Sequence, residues 1–176
     1  MARLSKEDWL EEGIKILSEF AQNKLRILYL CDRLKVTRGS FYHHFKSIDA
    51  YISDLMKKWE EENTLAFIRV SDEGENPMDK MLILSKRIGK AEQSVEASIR
   101  SWSFYNPLVK AHLERVDQER LAYLESIFKE MGFSKKVARA RAKIEYGLLI
   151  GIQQLNPNMT KKEMKFIYEI HRTIKD

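Results

Sequence analysis

Thr37, Arg38, Gly39, Ser40, Tyr42, His43, His44, Lys46 and Ser47 crowd hydroxyl, imidazole, phenol and cationic groups into one short stretch of chain. On a helical period of about 3.6 residues, Phe41 and Phe45 fall on one side of a short helix. Gly39, Ser40, Tyr42, His43 and Lys46 fall on or near the other. The first face is apolar; the second is small, hydrogen-bonding and basic. Such a helix suits a DNA major groove, where side chains reach base edges and phosphates.

The roles follow from chemistry and position. Thr37, Arg38 and Ser40 stand at the N-terminal end of this helix, where contact with bases or phosphates begins. Arg38 can pair with guanine, and Gly39 allows close backbone approach. The plainer alternative is a capped helix with a solvated arginine. His43 is the more outward of its pair, and His44 can equally be a ring packed between helices.

Elements that position this stretch are legible around it. A first helix is expected from Ser5 as N-cap, with Glu7 and Asp8 near its positive dipole end. Its buried stripe would be Leu10, Gly13, Ile14, Leu17, Phe20 and Ala21, ending at a break over Gln22, Asn23 and Lys24, with Asn23 the left-handed residue. A second helix over 25–34 would bury Leu25, Leu28, Cys31 and Leu34. Lys35 and Val36 form the turn, Thr37 caps the third helix, and Ser47 caps the fourth. That fourth helix, with Ile48, Ile52, Leu55, Met56 and Trp59 inward, would run to about residue 70. At 1.5 Å per residue it spans about 30 Å, enough to join two modules. Further breaks are expected at 71–77, Gly89, Asn106 with Pro107, 132–134 and 156–158, with Ser134 and Thr160 as N-caps.

The 176 residues are 44% hydrophobic and 32% charged, with only seven glycines and three prolines, which favours helix over turn-rich sheet. A single cysteine, Cys31, excludes an internal disulfide framework and a cysteine-based zinc cluster. No apolar run approaches the roughly 18–20 residues of a membrane span, and Glu7-Asp8-Trp9 replaces an apolar signal segment, so a cytoplasmic protein is expected. The net charge is +5. Much of it gathers around the motif, where Lys24, Arg26, Arg33, Lys35, Arg38 and Lys46 face only Asp32. Glu60, Glu61 and Glu62 read as a solvated charge run.

The stretch Val36-Thr37-Arg38-Gly39-Ser40-Phe41-Tyr42-His43-His44-Phe45 resembles the helix-turn-helix of the TetR family of bacterial transcriptional regulators. The resemblance covers roughly residues 4–59 and, more loosely, segments around Ile99 to Trp102, Val116 to Leu121 and Gly132 to Ser134. It implies DNA contacts from Lys35, Thr37, Arg38, Gly39, Ser40, Tyr42, His43, His44, Lys46 and Ser47, with Tyr42 and His44 against the backbone. Three positions depart from the family pattern. Lys35 replaces the turn glycine, at about 1 kcal/mol where φ is positive. Arg26 replaces the Ser/Thr cap of the second helix, and Ile48, followed by Asp49, replaces a lysine that touches phosphate.

The resemblance further implies an effector pocket in the C-terminal part, with Trp59, Phe67, Met81, Arg100, Trp102, Phe104 and Tyr105 as its candidates beside Met78. Ordinary core packing is the alternative for each, and Arg100 either meets an anionic effector or forms an internal ion pair. Leu121, Leu124, Phe128 and Met131 form one apolar stripe, and Ile144, Leu148 and Ile152 another, with Gly147 and Gly151 permitting close helix approach. Family members pair such helices into a dimer, though each stripe could instead face its own core. No cofactor, metal site or catalytic constellation is expected: His43, His44, His112 and His171 lack ligand spacing.

The expectation is an all-α protein. An N-terminal three-helix helix-turn-helix module, residues 1–60 with the motif at about 25–44, joins through a long fourth helix to a helical effector-binding and dimerisation domain, residues 61–176. It would be a non-enzymatic DNA-binding regulator, a repressor acting as a homodimer on a palindromic double-stranded operator and released by a small molecule. The alternative, resting on Lys35 and Ile48, is the same fold used for ligand or protein binding without an operator.

Overall fold

The computed structural model describes residues 4–155 and 159–173, so the expected break at 156–158 lies outside the described residues. Among the described residues every regular element is helical. Helix α1 (Lys6–Phe20) starts where the sequence places it. Ser5 Oγ accepts from the Asp8 amide while the Asp8 carboxylate accepts from the Ser5 amide, a reciprocal capping box. Its buried face is Trp9, Leu10, Gly13, Ile16 and Leu17. The stripe is therefore rotated from the expected one: Phe20 is exposed and Ile14 half-buried. The left-handed residue closing α1 is Ala21, φ 52°, rather than Asn23, and a 3-10 turn (Ala21–Lys24) follows.

Helix α2 (Ile27–Leu34) begins later than expected, with Arg26 in extended conformation at its N-cap and no side-chain cap bond. Leu30 and Cys31 are buried in it, whereas Leu28 is 67% exposed, a second correction. Burial also pushes the Cys31 thiol above its ordinary pKa. Helix α3 (Arg38–His44) follows a tight turn, and α4 (Ile48–Glu60) is capped by Ser47 Oγ, which accepts from the Ala50 amide at 3.1 Å. Beyond Glu60 the helix continues through a π turn (Glu61–Leu65) into α5 (Ala66–Ser71), giving the long connecting element expected.

The rest of the chain is α6 (Pro77–Ile88), α7 (Gln93–Ser103), α8 (Pro107–Glu130), α9 (Lys135–Leu155) and α10 (Lys161–Thr173). Asn76 and Asn106 cap α6 and α8, each followed by proline at the first helical position, where its missing N–H costs nothing. Thr160 caps α10 by a reciprocal bond with Glu163.

Two hydrophobic clusters hold these helices. The larger gathers Trp9, Leu17, Phe41, Phe45, Leu55 and Trp59 with Ile99, Trp102, Val109 and Leu113, so α7 packs on α1 and α8 on α4. The smaller joins Leu124 and Phe128 of α8 to Ala138, Ala142 and Tyr146 of α9. Glu60 is not part of a solvated run: it is buried and paired with Arg115, while Glu61 and Glu62 stay exposed.

Candidate nucleic-acid interface

The turn before α3 is closed by backbone geometry. Lys35 adopts the left-handed conformation, φ 55° and ψ 44°. Its amide reaches the Asp32 carbonyl at 3.2 Å and the Val36 amide reaches the Cys31 carbonyl at 3.0 Å. This is a Schellman closure, whose left-handed position usually carries glycine. Lys35 thus occupies the strained position that its replacement of glycine raised, and its ammonium lies 3.1 Å from the Asp32 carboxylate.

Thr37 stands at the N-cap of α3 in extended conformation, but its hydroxyl makes no cap bond; only its carbonyl accepts, from the Ser40 amide at 3.0 Å. Phe41 and Phe45 anchor α3. Their rings lie 5.5 and 6.5 Å from Trp9 and 5.7 and 4.9 Å from Tyr51, in edge-on or tilted contacts. With that face buried, the opposite one is fixed outward. Lys35, Thr37, Arg38, Gly39, Tyr42, His43, Lys46 and Ser47 are exposed, and Ser40 and His44 are half-buried. None of the ten residues read as DNA-contacting is fully buried. His44 leans on α1, its ring centroid 6.4 Å from Trp9.

Two features modify the expected charge pattern. Arg33 does not face outward with the others: it donates to Glu12 at 2.7 Å and to Glu19 at 2.6 and 3.1 Å, clamping α2 to α1. Ile48 is half-buried against the larger core cluster, so the position that would carry a phosphate-binding lysine serves packing here.

A cavity lies further along, between the π turn, α5, α6, α8, α9 and α10. Its water-accessible volume is about 90 Å³, small beside the usual small-molecule site. Phe67 and Met81 line it, together with Leu84, Leu124, Leu149 and Tyr168. Trp59 belongs to the larger core and edges a smaller adjoining cleft with Phe67. Trp102 is buried in the core away from the cavity, and Phe104 and Tyr105 are more than four-fifths exposed in the turn before α8. These three are corrected: the resemblance groups them with the others, but α7 turns Trp102 into the core and the turn after it leaves Phe104 and Tyr105 exposed.

Arg100 forms the internal ion pair. It donates to Asp117 at 2.8 and 3.1 Å, to Glu96 at 2.9 Å and to the Tyr146 hydroxyl at 2.7 Å. Arg120, which the sequence reading missed, completes this group with both Glu96 oxygens at 3.0 and 3.1 Å, and it lines the cavity. Burial works against the Arg120 charge, but Glu96 and Tyr146 outweigh it and hold the guanidinium protonated. Burial, partly offset by Arg120 and Arg100, pushes the Tyr146 phenol up to about 12. The available signal was Glu96 and Arg100 at helical i,i+4 spacing between buried apolar residues.

Of the residues read as an interface, Leu124, Phe128 and Ile152 are buried within the protomer, Leu124 and Phe128 in the smaller cluster, which corrects their assignment to an outer surface. Leu121 is half-buried against that cluster. Ile144 and Gly147 are exposed, Leu148 and Gly151 half-buried, and nothing lies within 4 Å of a Cβ built on either glycine. With Val137, Ala140 and Leu155 they trace an outward stripe along α9.

No protein-family model and no curated protein matches the chain. Solved structures do. A transcriptional regulator from Pseudomonas aeruginosa PAO1 aligns over 92% of this chain and 86% of its own, with a TM-score of 0.76 at 14% identity. Reduced NemR of E. coli aligns over 85% and 86%, with a TM-score of 0.74 at 16% identity. The fold is TetR-like. The ketosteroid transcriptional regulator KstR2 of Mycobacterium tuberculosis spans 99% of this chain and 94% of its own, with a TM-score of 0.59 at 11% identity. At these identities the likeness establishes architecture, and the chemistry of the surface has to be argued from its own residues. Among the described residues no helix is long and apolar enough to cross a membrane, and no group of three or more His, Cys, Asp or Glu could hold a metal ion.

Proposed function

We propose that the protein is a cytoplasmic, non-enzymatic, DNA-binding transcriptional regulator, a repressor that binds a palindromic operator as a homodimer. The observation that carries this reading is the outward face of α3: Thr37, Arg38, Gly39, Tyr42 and His43 exposed on a helix anchored behind by Phe41 and Phe45. Arg38 and Ser40 read base edges; Tyr42, His44 and Lys46 hold the backbone; Lys35 adds a phosphate contact beside the turn. Residues 1–60 act as the reading head and 61–176 as the effector-binding and dimerisation part.

One short helix reads few base pairs, so specificity calls for two copies about 34–36 Å apart. The α9 stripe of Ile144, Gly147, Leu148 and Gly151 supports self-association, since glycines on an apolar face let two helices approach closely. A small molecule in the cavity releases the operator by favouring a spacing of the two heads that no longer fits successive grooves. Selection of bound duplexes from a randomised pool tests the reading: enrichment of a two-fold symmetric sequence is expected. Retention of DNA without any sequence preference would leave the fold serving ligand or protein binding instead.

A further inference from the structure

Arg120 touches both the cavity and the π turn of the connecting helix. Its Nε donates to Thr64 Oγ1 at 2.9 Å and its second terminal nitrogen to the Asn63 carbonyl at 3.4 Å. Both acceptors belong to the π turn, where the Ala66 amide bonds five residues back to Glu61. Asn63 Nδ2 donates to the Trp59 carbonyl at 3.2 Å, and Arg120 lies 5.1 Å from the Trp59 ring centroid. A π turn holds one residue more than the α-helix it interrupts and recurs at functional sites. Here it separates the part of the helix packed on the reading head from the part lining the cavity, and Arg120 fastens it.

The cavity wall also limits what can enter. Arg100 and Arg120 are balanced by Glu96 and Asp117, and Glu145 adds a carboxylate, 3.3 Å from His171. Among the described residues an entering anion would lose its hydration without meeting an uncancelled cation, which is costly in an apolar site. A neutral oxygen needs only a donor. The long Arg120 bond to the Asn63 carbonyl is the one most readily given up.

We propose that the cavity takes an uncharged, mainly apolar ligand bearing one acceptor oxygen, which captures the Arg120 donor from Asn63 and so unfastens the π turn. This rests on reading the cavity as the effector site. It adds the class of ligand and the point at which occupancy reaches the reading head.

Three rigid probes of one size test it on the full chain by calorimetry: 2-acetylnaphthalene, 2-ethylnaphthalene and 2-naphthoate. The ketone should bind about tenfold more tightly than the hydrocarbon, the value of one hydrogen bond to a charged donor, and tighter still than the carboxylate. Glu96→Gln with Arg120→Met removes one charge of each sign and should bring ketone and hydrocarbon to equal affinity. Should that pair fail to fold, Glu96→Leu with Arg120→Leu removes the same two charges together with the donor, and should erase the same advantage. Amide exchange over 63–66 should quicken with saturating ketone and not with hydrocarbon. A carboxylate that binds best, a ketone advantage surviving both variants, no binding by any probe, or unchanged exchange each overturns the proposal. None of these readouts uses DNA, so a chain that selects no operator yet passes them loses only the regulator reading.

Discussion

The Tyr51 hydroxyl donates to the Trp9 backbone carbonyl at 2.8 Å, tying α4 to α1 directly behind the Phe41 and Phe45 rings. Burial holds the Tyr51 phenol well above its ordinary pKa, so it stays a donor at any physiological pH. A Cβ built on Gly13 would stand 2.1 Å from that same oxygen.

Gly13→Ala should therefore destabilise the protein by about 1–3 kcal/mol, the range for overpacking a core. Tyr51→Phe should cost about 1 kcal/mol for its hydrogen bond. Because the phenylalanine removes the atom that alanine strikes, the double variant should be more stable than the sum predicts. Urea titrations of the four proteins measure the coupling, and strict additivity would mean that α1 and α4 adjust freely.

Lys35 holds a left-handed conformation that glycine adopts without strain. Lys35→Gly should raise stability by up to about 1 kcal/mol, less the entropy glycine adds to the unfolded chain. If Lys35 also meets phosphate, the same variant should weaken DNA binding and lower its salt dependence by about one unit of slope. A variant that is more stable and binds DNA unchanged would remove Lys35 from the interface.

His112 accepts from Arg115 at its Nδ1, 3.3 Å away, and faces Ser53 Oγ at 3.4 Å through Nε2. Burial, then the Arg115 charge, lowers its pKa below the ordinary value. On acidification the unfolded chain takes up this proton first, so His112 stabilises fully above about pH 6.5 and that contribution is lost as pH falls toward its folded pKa. The carboxylates of Asp8 and Glu163, held low by Ser5 and Thr160, act only in more acid solution. His112→Gln should flatten stability between pH 7.5 and 5.5, as followed by thermal melts; an unchanged slope would assign the loss elsewhere.

Two substitutions separate the outer face of α9 from the inner core. Ile144, 52% exposed in the protomer, can become arginine without disturbing it, so Ile144→Arg should yield a folded monomer by light scattering. Leu124→Ala, in the smaller core, should cost about 2–5 kcal/mol. A dimeric Ile144→Arg protein would place the interface elsewhere.

Local signals carried most of the fold. Caps at Ser5, Ser47 and Thr160, breaks at 71–77 and at Asn106 with Pro107, and the scarcity of glycine made the helices legible, and the alternation of Phe41 and Phe45 with polar residues oriented α3. Periodicity failed where two neighbours competed for one helix. α1 packs on both α4 and α7, so its stripe turned toward Trp9 and Ile16. Leu124 and Phe128 of α8 were claimed by α9 of the same chain. The spacing of Glu96 and Arg100 signals one pair of the Arg120 cluster, but the approach of Arg120, Asp117 and Tyr146 from α8 and α9 is a pairing that no local spacing reveals.

The central claim is that α3 reads DNA sequence from its outward face. Its most direct test is the affinity ratio between a selected duplex and a scrambled one, measured by fluorescence anisotropy at fixed salt, for wild type and for Arg38→Ala with Tyr42→Ala. The account predicts a ratio of about a thousandfold or more in wild type, falling toward unity in the variant while the helical content is retained. An unchanged ratio in the folded variant would contradict it.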